Sequence, residues 1–476
     1  MLESTFSWAK SKARSYVMTG QRGVLNKSEY GKGDGDAAYM PCYWAGYPHR
    51  TAFYSRDYCH QMAGAHLLGL DRENLEMLRA FAQSANEDKK WYPLWAINFD
   101  GSCYKLDYRS DQSFVREVPA TFELVEKTYK QLLWTGNKEL INDPVIWTYC
   151  TKAVTEFINL HDSIIPNGIA EGDGSGRIFK GVATYNEDHK LAYVEAADGL
   201  SCQYQALLAY GKMLAIKGEM AESEAYLRRA NQLKQIFNDE WCLNSDQIFS
   251  RGRAKDGTYL KGFGRETSFF VLLKQLSYNG EKSDKYADFV AKSLNVEYQV
   301  PVNIESITYL PDLFFPYNRV EDGWKWTKTI INRLNDKHIV DEAGLNGDYP
   351  EVSYTFISNV VENMMGVEPD AINDGVAVVS RLPEEVSTLG VNGLKIGTHT
   401  INLLHEGRNK TTLAHLFGSK DLRCEFRFYG HFNVIYLNGK PAKAAYSKLN
   451  GAEISSVQLP VAKGKKVVAE VKPYKK

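Results

Sequence analysis

The chain has 476 residues and a formal net charge of −1, with 44% hydrophobic and 24% charged residues. These proportions exclude large-scale disorder, and the balanced charge argues against a dedicated nucleic-acid binder. No apolar run approaches the ~18 residues that cross a bilayer, so neither nucleic acid nor membrane is expected as a partner, and the length fits two or three domains, or one large repeat-built domain with an appendage.

The opening segment, MLESTFSWAKSKARS, has no signal-peptide apolar core. The compartment stays open between the cytoplasm and, for a chain without its leader, the periplasm. Seven scattered cysteines at 42, 59, 103, 150, 202, 242 and 424, odd in number and without CxxC spacing, predict neither a zinc site nor a disulfide framework. No metal or cofactor is expected, and the sequence is silent on oligomeric state.

From residue 1 to about 372 the chain reads as helix after helix. Leu200, Tyr204, Leu207 and Leu208 fall at the i, i+4, i+7, i+8 spacing of an amphipathic helix, and similar patterns begin near Asp57, Glu117, Glu219, Arg265, Lys282 and Glu351. Breaks such as Thr135-Gly136-Asn137, Ile165-Pro166-Asn167-Gly168 and Lys217-Gly218-Glu219 separate them. About twelve helices, or six hairpins, result. After Gly375 short β-rich runs are punctuated by Asn392-Gly393, Glu406-Gly407 and Asn438-Gly439, and Asn-Gly is a strong hairpin signal. The expectation is a helical domain over 1–372 and a β-sandwich over 376–476.

Aromatics reach 12% and cluster at 43–47 (YWAGY), 91–95 (WYPLW), 309–317 (YLPDLFFPY) and 324–326 (WKW). Flat rings with a polar edge suit the apolar faces of sugars, although helix packing accounts for most aromatics in any protein. Several helices also open on carboxylates: Asp57, Glu117, Glu195 with Asp198, Glu266 and Glu351. Capping explains any one of them. In a barrel of paired helices, however, such starts share one mouth, and carboxyls gathered there could act on a glycosidic bond, one as acid and one as base.

The segment Ala52-Phe-Tyr-Ser-Arg-Asp-Tyr58 resembles the Trp-x-Arg-Asp segment of glucoamylases and related six-hairpin, (α/α)6-barrel glycosidases. Arg56 and Asp57 match the pair that grips the sugar, with Tyr54 in place of the usual Trp. Val194-Glu-Ala-Ala-Asp-Gly199 resembles the segment that carries the glucoamylase general acid; the resemblance puts Glu195 in that role, or Asp198 as in trehalase-like relatives. Ser353 to Gly366, followed by VEPD, resembles the last barrel helix and sandwich junction of α-L-rhamnosidases, and GVNGLKIGTHTINLLHEG resembles their C-terminal β-domain. The resemblance implies a mainly α fold, an (α/α)6 toroid with a C-terminal β-sandwich, and an exo-acting, inverting glycosidase of oligo- or polysaccharides. The base would be Glu351 in DYPEVSY or Glu342 in VDEAGLNGD. Glu351 is favoured, because a carboxylate after Tyr-Pro at a helix start is rigidly placed.

Further candidate sugar contacts are Trp44, Trp95, Asp100, Arg116, Glu117 and Glu266. The Glu171–Gly176 loop lacks a P-loop or EF-hand pattern, and His49, His60 and His66 read as structural rather than metal-binding. Two other classes compete: a carbohydrate-binding protein without chemistry, and a lyase or phosphorylase on the same toroid. For a lyase, Tyr349 and His338 are the conceivable bases.

Overall fold

The computed structural model describes residues 1–28, 35–185, 192–242, 248–297 and 303–472; residues 473–476 of the expected sandwich lie outside it. Helix makes up 43% and strand 23% of the chain. The principal helices are α1 (Leu2–Ser15), α2 (Ser55–Leu67), α3 (Asp71–Ser84), α4 (Val118–Thr135), α5 (Pro144–Val154), α6 (Ala197–Lys217), α7 (Met220–Glu240), α8 (Arg265–Leu273), α9 (Glu281–Glu297), α10 (Ile304–Ile307), α11 (Val320–Asn332) and α12 (Pro350–Ser358).

These helices are of two kinds. In α2 every residue from Ser55 to His66 is buried, α4 is buried from Val118 through Glu126, and α8 is buried from Glu266 through Leu272. Between them stand helices with a single buried face. In α3 that face is Glu73, Asn74, Met77, Leu78, Phe81 and Ala82, and α7 buries little beyond Ser223, Ala230, Leu233, Phe237 and Asn238. A helix apolar or small-residued all round must be covered on every side, whereas a striped one can face water. Wholly buried and one-faced helices in alternation are what two concentric rings require.

The chain forms two compact units. The first comprises Met1–Tyr129, Glu139–Ile307 and Arg333–Tyr354; the second comprises Lys130–Lys138, Thr308–Asn332 and Thr355–Lys476. This division does not fall at the change of texture near 372–376, because the chain beyond Tyr354 and the α11 segment are bound into the second unit. There Arg381 donates to the carbonyls of Glu362 and Asn363, and the Trp134 indole donates to Glu362. Strand pairing also starts earlier than expected, with Val367–Asp370 antiparallel to Gly375–Val379.

Two sheets follow. The five-stranded one orders Val367–Asp370, Gly375–Val379, Leu422–Tyr429, Ala452–Val461 and Ala445–Leu449, with one parallel pair, Gly375–Val379 against Leu422–Tyr429. The six-stranded one orders Thr388–Ile396, His399–Glu406, Lys410–Phe417, Lys466–Glu470, Val434–Leu437 and Lys440–Lys443. Alternate burial in His399–Glu406 and Leu422–Tyr429 is the period-two signature of strands with one covered face.

In the first unit, α2 and α12 touch backbone to backbone at Gly64. A Cβ built there would lie 2.1 Å from the Tyr354 carbonyl oxygen. Tyr354 in turn donates its hydroxyl to the Ala13 carbonyl at 2.8 Å. Gly64→Ala is therefore expected to cost at least about 1–3 kcal/mol, lowering the melting temperature by several degrees. A thermal melt unchanged by this substitution would show that the helices do not meet so closely.

Candidate active site

The loop that precedes α2 turns over the ring of Tyr54. Gly46 (φ +128°) is required there, since a Cβ would lie 2.4 Å from the Tyr54 ring. Beyond it, Ala52–Tyr54 pairs with Ala96–Asn98 so that Tyr54 faces Ala96. This register sets Tyr54 and Trp95 edge to face at 4.9 Å. The Arg50 guanidinium lies 4.9 Å over the Tyr47 ring and donates to the Tyr54 hydroxyl at 2.9 Å. These aromatics and Arg50, with Arg56, Asp57, Glu305 and Tyr349, line a cavity of about 220 Å³.

Three carboxyls belong to this wall or stand directly behind it. Asp57, in the first turn of α2, accepts the hydroxyl proton of Tyr349. Burial, then the nearby Glu351, push its pKa up to about 6, against the opposing pull of Arg56. Glu351, in the first turn of α12, has no exposed surface, and its Oε1 lies 2.5 Å from His60 Nδ1. His60 is three residues after Asp57, hence on the same face of α2. Glu305, in the first turn of α10, accepts from the Tyr47 hydroxyl, with Arg56 at 3.9 Å and His338 at 3.7 Å.

Just before α6 stands another buried acid, Glu195, which is not among the residues lining this cavity. Glu195 pairs in register with Arg253, and its side chain is fully buried, with Arg253 3.6 Å from Oε2. Asn167 donates to Oε1 at 2.5 Å. Burial dominates and drives the carboxyl up to about 7, against Asn167 and Arg253. Asp198, one turn on, behaves differently: it accepts from the Thr184 hydroxyl and the Tyr185 N–H, both at 2.8 Å. The Tyr185 ring so held carries Arg56 at 5.4 Å. Through that contact the starts of α2 and α6 open at one end.

Below Tyr185 lies a buried ionic cluster. The Tyr185 hydroxyl donates to Glu123, and Lys274 bridges Glu123 at 2.5 Å and Glu126 at 2.6 Å. Burial alone would raise Glu123, but Lys274 and Lys127 hold it below the usual carboxylate range. This network is committed to structure.

The sequence-derived candidates divide accordingly. Tyr54, Arg56, Asp57 and Trp95 line the cavity, and Glu117 accepts the Trp95 indole proton at 2.9 Å. Trp44 does not line it; its indole donates to the Tyr47 carbonyl at 3.0 Å and so props the loop from below. Asp100 is taken up by the Ser102 N–H and hydroxyl and by Lys27. Arg116 clamps the carbonyls of Gln112 and Phe179. Glu266 is fully buried in the first turn of α8 but is not in the cavity wall. Glu342 is exposed on a short 3-10 turn, without the enclosure expected of a rigid base.

The expected aromatic rim shrinks to Tyr47, Tyr54 and Trp95. Tyr43 is buried against Tyr354 at 4.9 Å, and Tyr92 against Phe157 at 4.8 Å. Residues Tyr309, Phe314, Phe315 and Tyr317 are buried within the second unit, as are Trp324, which donates to Glu385, and Trp326. Sequence reasoning missed Arg50 and Glu305 and read His60 only as structural. Glu305 carries the same signal as the other helix starts, with Asn303 accepting its N–H at 2.9 Å. A helix of four residues is too short to show a period. Among the described residues no group of His, Cys, Asp and Glu could hold a metal ion, and no helix is long and apolar enough to cross a membrane.

No protein-family model and no curated protein matches the sequence. Solved structures do match. The α-L-rhamnosidase of Dictyoglumus thermophilum superposes with a TM-score of 0.54 at 14% identity, over 88% of this chain and 46% of its own. A GH78 family rhamnosidase of Bacillus sp. GL1 gives 0.56 at 12% identity, over 88% of this chain and 40% of its own. The chain thus spans less than half the length of either rhamnosidase. The likeness shows the fold: mainly α, an (α/α)6 toroid with a C-terminal β-sandwich.

Raised carboxyl pKa values make stability depend on pH with a definite sign. Asp57 and Glu195 hold protons more tightly in the folded than in the unfolded chain, so stability falls as pH rises from about 4.5 through 7. Glu195→Gln removes one such group. Its urea midpoint should exceed that of the wild type at about pH 8 and converge with it near pH 4.5. Equal midpoints at both pH values would mean that Glu195 titrates normally.

Proposed function

We propose that the protein is a glycoside hydrolase that releases a terminal sugar from an oligo- or polysaccharide with inversion, Glu195 acting as general acid and Glu351 as base. The observation that carries this reading is Glu195 itself. A buried carboxyl with its pKa at about 7 keeps its proton near neutral pH, as a general acid must. The cavity supports it: a volume of about 220 Å³, below the ~300–1,000 Å³ of pockets for drug-sized ligands, suits roughly one sugar ring. Tyr47, Tyr54 and Trp95 offer faces for that ring, and Arg56, Asp57 and Glu305 offer hydrogen-bond partners for its hydroxyls.

In this mechanism the Glu195 proton passes to the glycosidic oxygen as the bond to the anomeric carbon breaks. Glu351 takes a proton from a water molecule that attacks the opposite face, and the product sugar emerges with inverted configuration. The His60 contact orients Glu351, and Asp57 beside it holds a hydroxyl of the same sugar. Glu305, in the cavity wall, is assigned to substrate binding with Arg56. The lyase alternative loses one of its two conceivable bases: the Tyr349 hydroxyl is hydrogen-bonded to Asp57, and burial and the surrounding carboxyls raise its pKa well above the usual phenolic value, which leaves His338, 3.7 Å from Glu305. Glu342, exposed, is the weaker candidate for the base.

A panel of aryl glycosides and oligosaccharides, with NMR of the first-formed anomer, tests this directly. Glu195→Gln should lose on the order of 10²–10⁴ in turnover of a natural linkage and recover part of it on aryl glycosides, whose leaving groups need less protonation. Glu351→Gln should lose turnover on both kinds of substrate, and Glu305→Gln should chiefly raise KM. Sugar binding without turnover of any glycoside would favour a binding protein. Near-wild-type activity of Glu195→Gln on an oligosaccharide would remove Glu195 from the acid's role.

A further inference from the structure

We infer that Asn167 is a positioning residue for the proton of Glu195: its side-chain amide occupies Oε1 and leaves Oε2 as the oxygen that carries and delivers the proton. The inference rests on the assignment of Glu195 as the acid.

The Asn167 amide can point only one way. Its Oδ1 accepts the backbone N–H of Ile169 at 2.8 Å, so Nδ2 is the atom turned toward Glu195, which it meets at 2.5 Å. An amide nitrogen is donor only; Oε1 must therefore accept, and a proton on the carboxyl belongs on Oε2. Oε2 faces the Arg253 guanidinium at 3.6 Å, longer than the Asn167 contact to Oε1 and beyond an ordinary hydrogen bond, and has no other hydrogen-bond partner among the described residues.

The segment that presents Asn167 is built for fixity. The Glu171 carboxylate accepts the backbone N–H groups of Ser163, Ile164 and Ile165. Asp162 accepts those of Asn167 and Gly168, both at 2.8 Å. Gln203, on α6, accepts from Ala170 at 2.8 Å and donates to the Gly168 carbonyl at 2.7 Å. The same helix starts two residues after Glu195, so acid and donor are tied to one element.

The charged groups facing Glu195 are Arg253, whose guanidinium also lies over the Tyr259 ring at 5.1 Å, and Glu171. Glu171 and burial favour the protonated carboxyl; Arg253 and Asn167 favour the ionised one. Asn167 thus keeps the acid from being too weak to give up its proton.

Two readouts test this on the full chain: the basic limb of kcat/KM against pH on an unactivated oligosaccharide, and the pH titration of the Glu195 carboxyl band in infrared difference spectra, identified by its absence from Glu195→Gln. Asn167→Ala should move both upward by about one pH unit, the scale of one lost hydrogen bond to a carboxylate. Asn167→Asp keeps the Ile169 contact and adds a second carboxyl, so its shift should be larger. Should Asn167→Asp not fold, Asn167→Ala carries the test, because Asp162 and Gln203 still anchor the backbone. A limb and a band that stay in place in folded variants, with Glu195→Gln inactive, would overturn the role of Asn167 alone. An active Glu195→Gln would instead overturn the acid assignment on which it rests.

Discussion

Two contacts between residues almost three hundred positions apart hold the candidate site together: the Tyr349 hydroxyl on Asp57, and His60 beside Glu351. Both join the start of the last inner helix to the first turns of α2. They bring two carboxyls into one buried place, where burial and then the neighbouring Glu351 push the Asp57 pKa up to about 6. Burying such groups is costly unless the surroundings compensate. Helix first turns do so, since their N–H groups lack intrahelical partners and the helix dipole favours negative charge there. A ring of inner helices that start at one end is therefore a scaffold on which acids can be buried without unfolding it.

The acids of this end fall into two sets, and their surroundings separate them. Lys274 holds the Glu123 carboxyl below the usual range and also contacts Glu126, and Asp198 is committed to the Thr184 hydroxyl and the Tyr185 amide. Asp57 and Glu195 also have arginines nearby, Arg253 at 3.6 Å from Glu195, but burial outweighs them and pushes the two carboxyls up to about 6 and about 7. The first set builds: it fixes Tyr185, and Tyr185 fixes Arg56. The second set keeps protons available near neutral pH. Acids of one residue type thus acquire structural or chemical roles from desolvation and neighbours, as expected where titratable groups are driven apart.

The second compact unit obeys a simpler logic. Its sheets are stabilised by alternate burial, and the end of the last helix is welded to them by hydrogen bonds from Arg381 and by His405, whose Nε2 meets the Met365 carbonyl at 3.0 Å. The compact units therefore do not divide where helix gives way to strand, because compactness follows contacts, not secondary-structure type.

Much of this was legible in the sequence. Helical periodicity against short alternating runs decides the fold class, and acidic helix starts mark Asp57, Glu195 and Glu351 before any coordinates are known, because capping chemistry and periodicity are local. What the sequence could not reveal is which marked residues share a wall. Trp44, Asp100 and Arg116 have the right chemistry, but their side chains serve nearby backbone or loop partners. Glu305 and Arg50 stand on a four-residue helix and a loop that have no period to read. The pairing of Asp57 with Tyr349, of Glu351 with His60 and of Glu195 with Asn167 was decided by the tertiary structure alone. Contacts across such sequence separations depend on how the helices close on one another, and no local pattern encodes that.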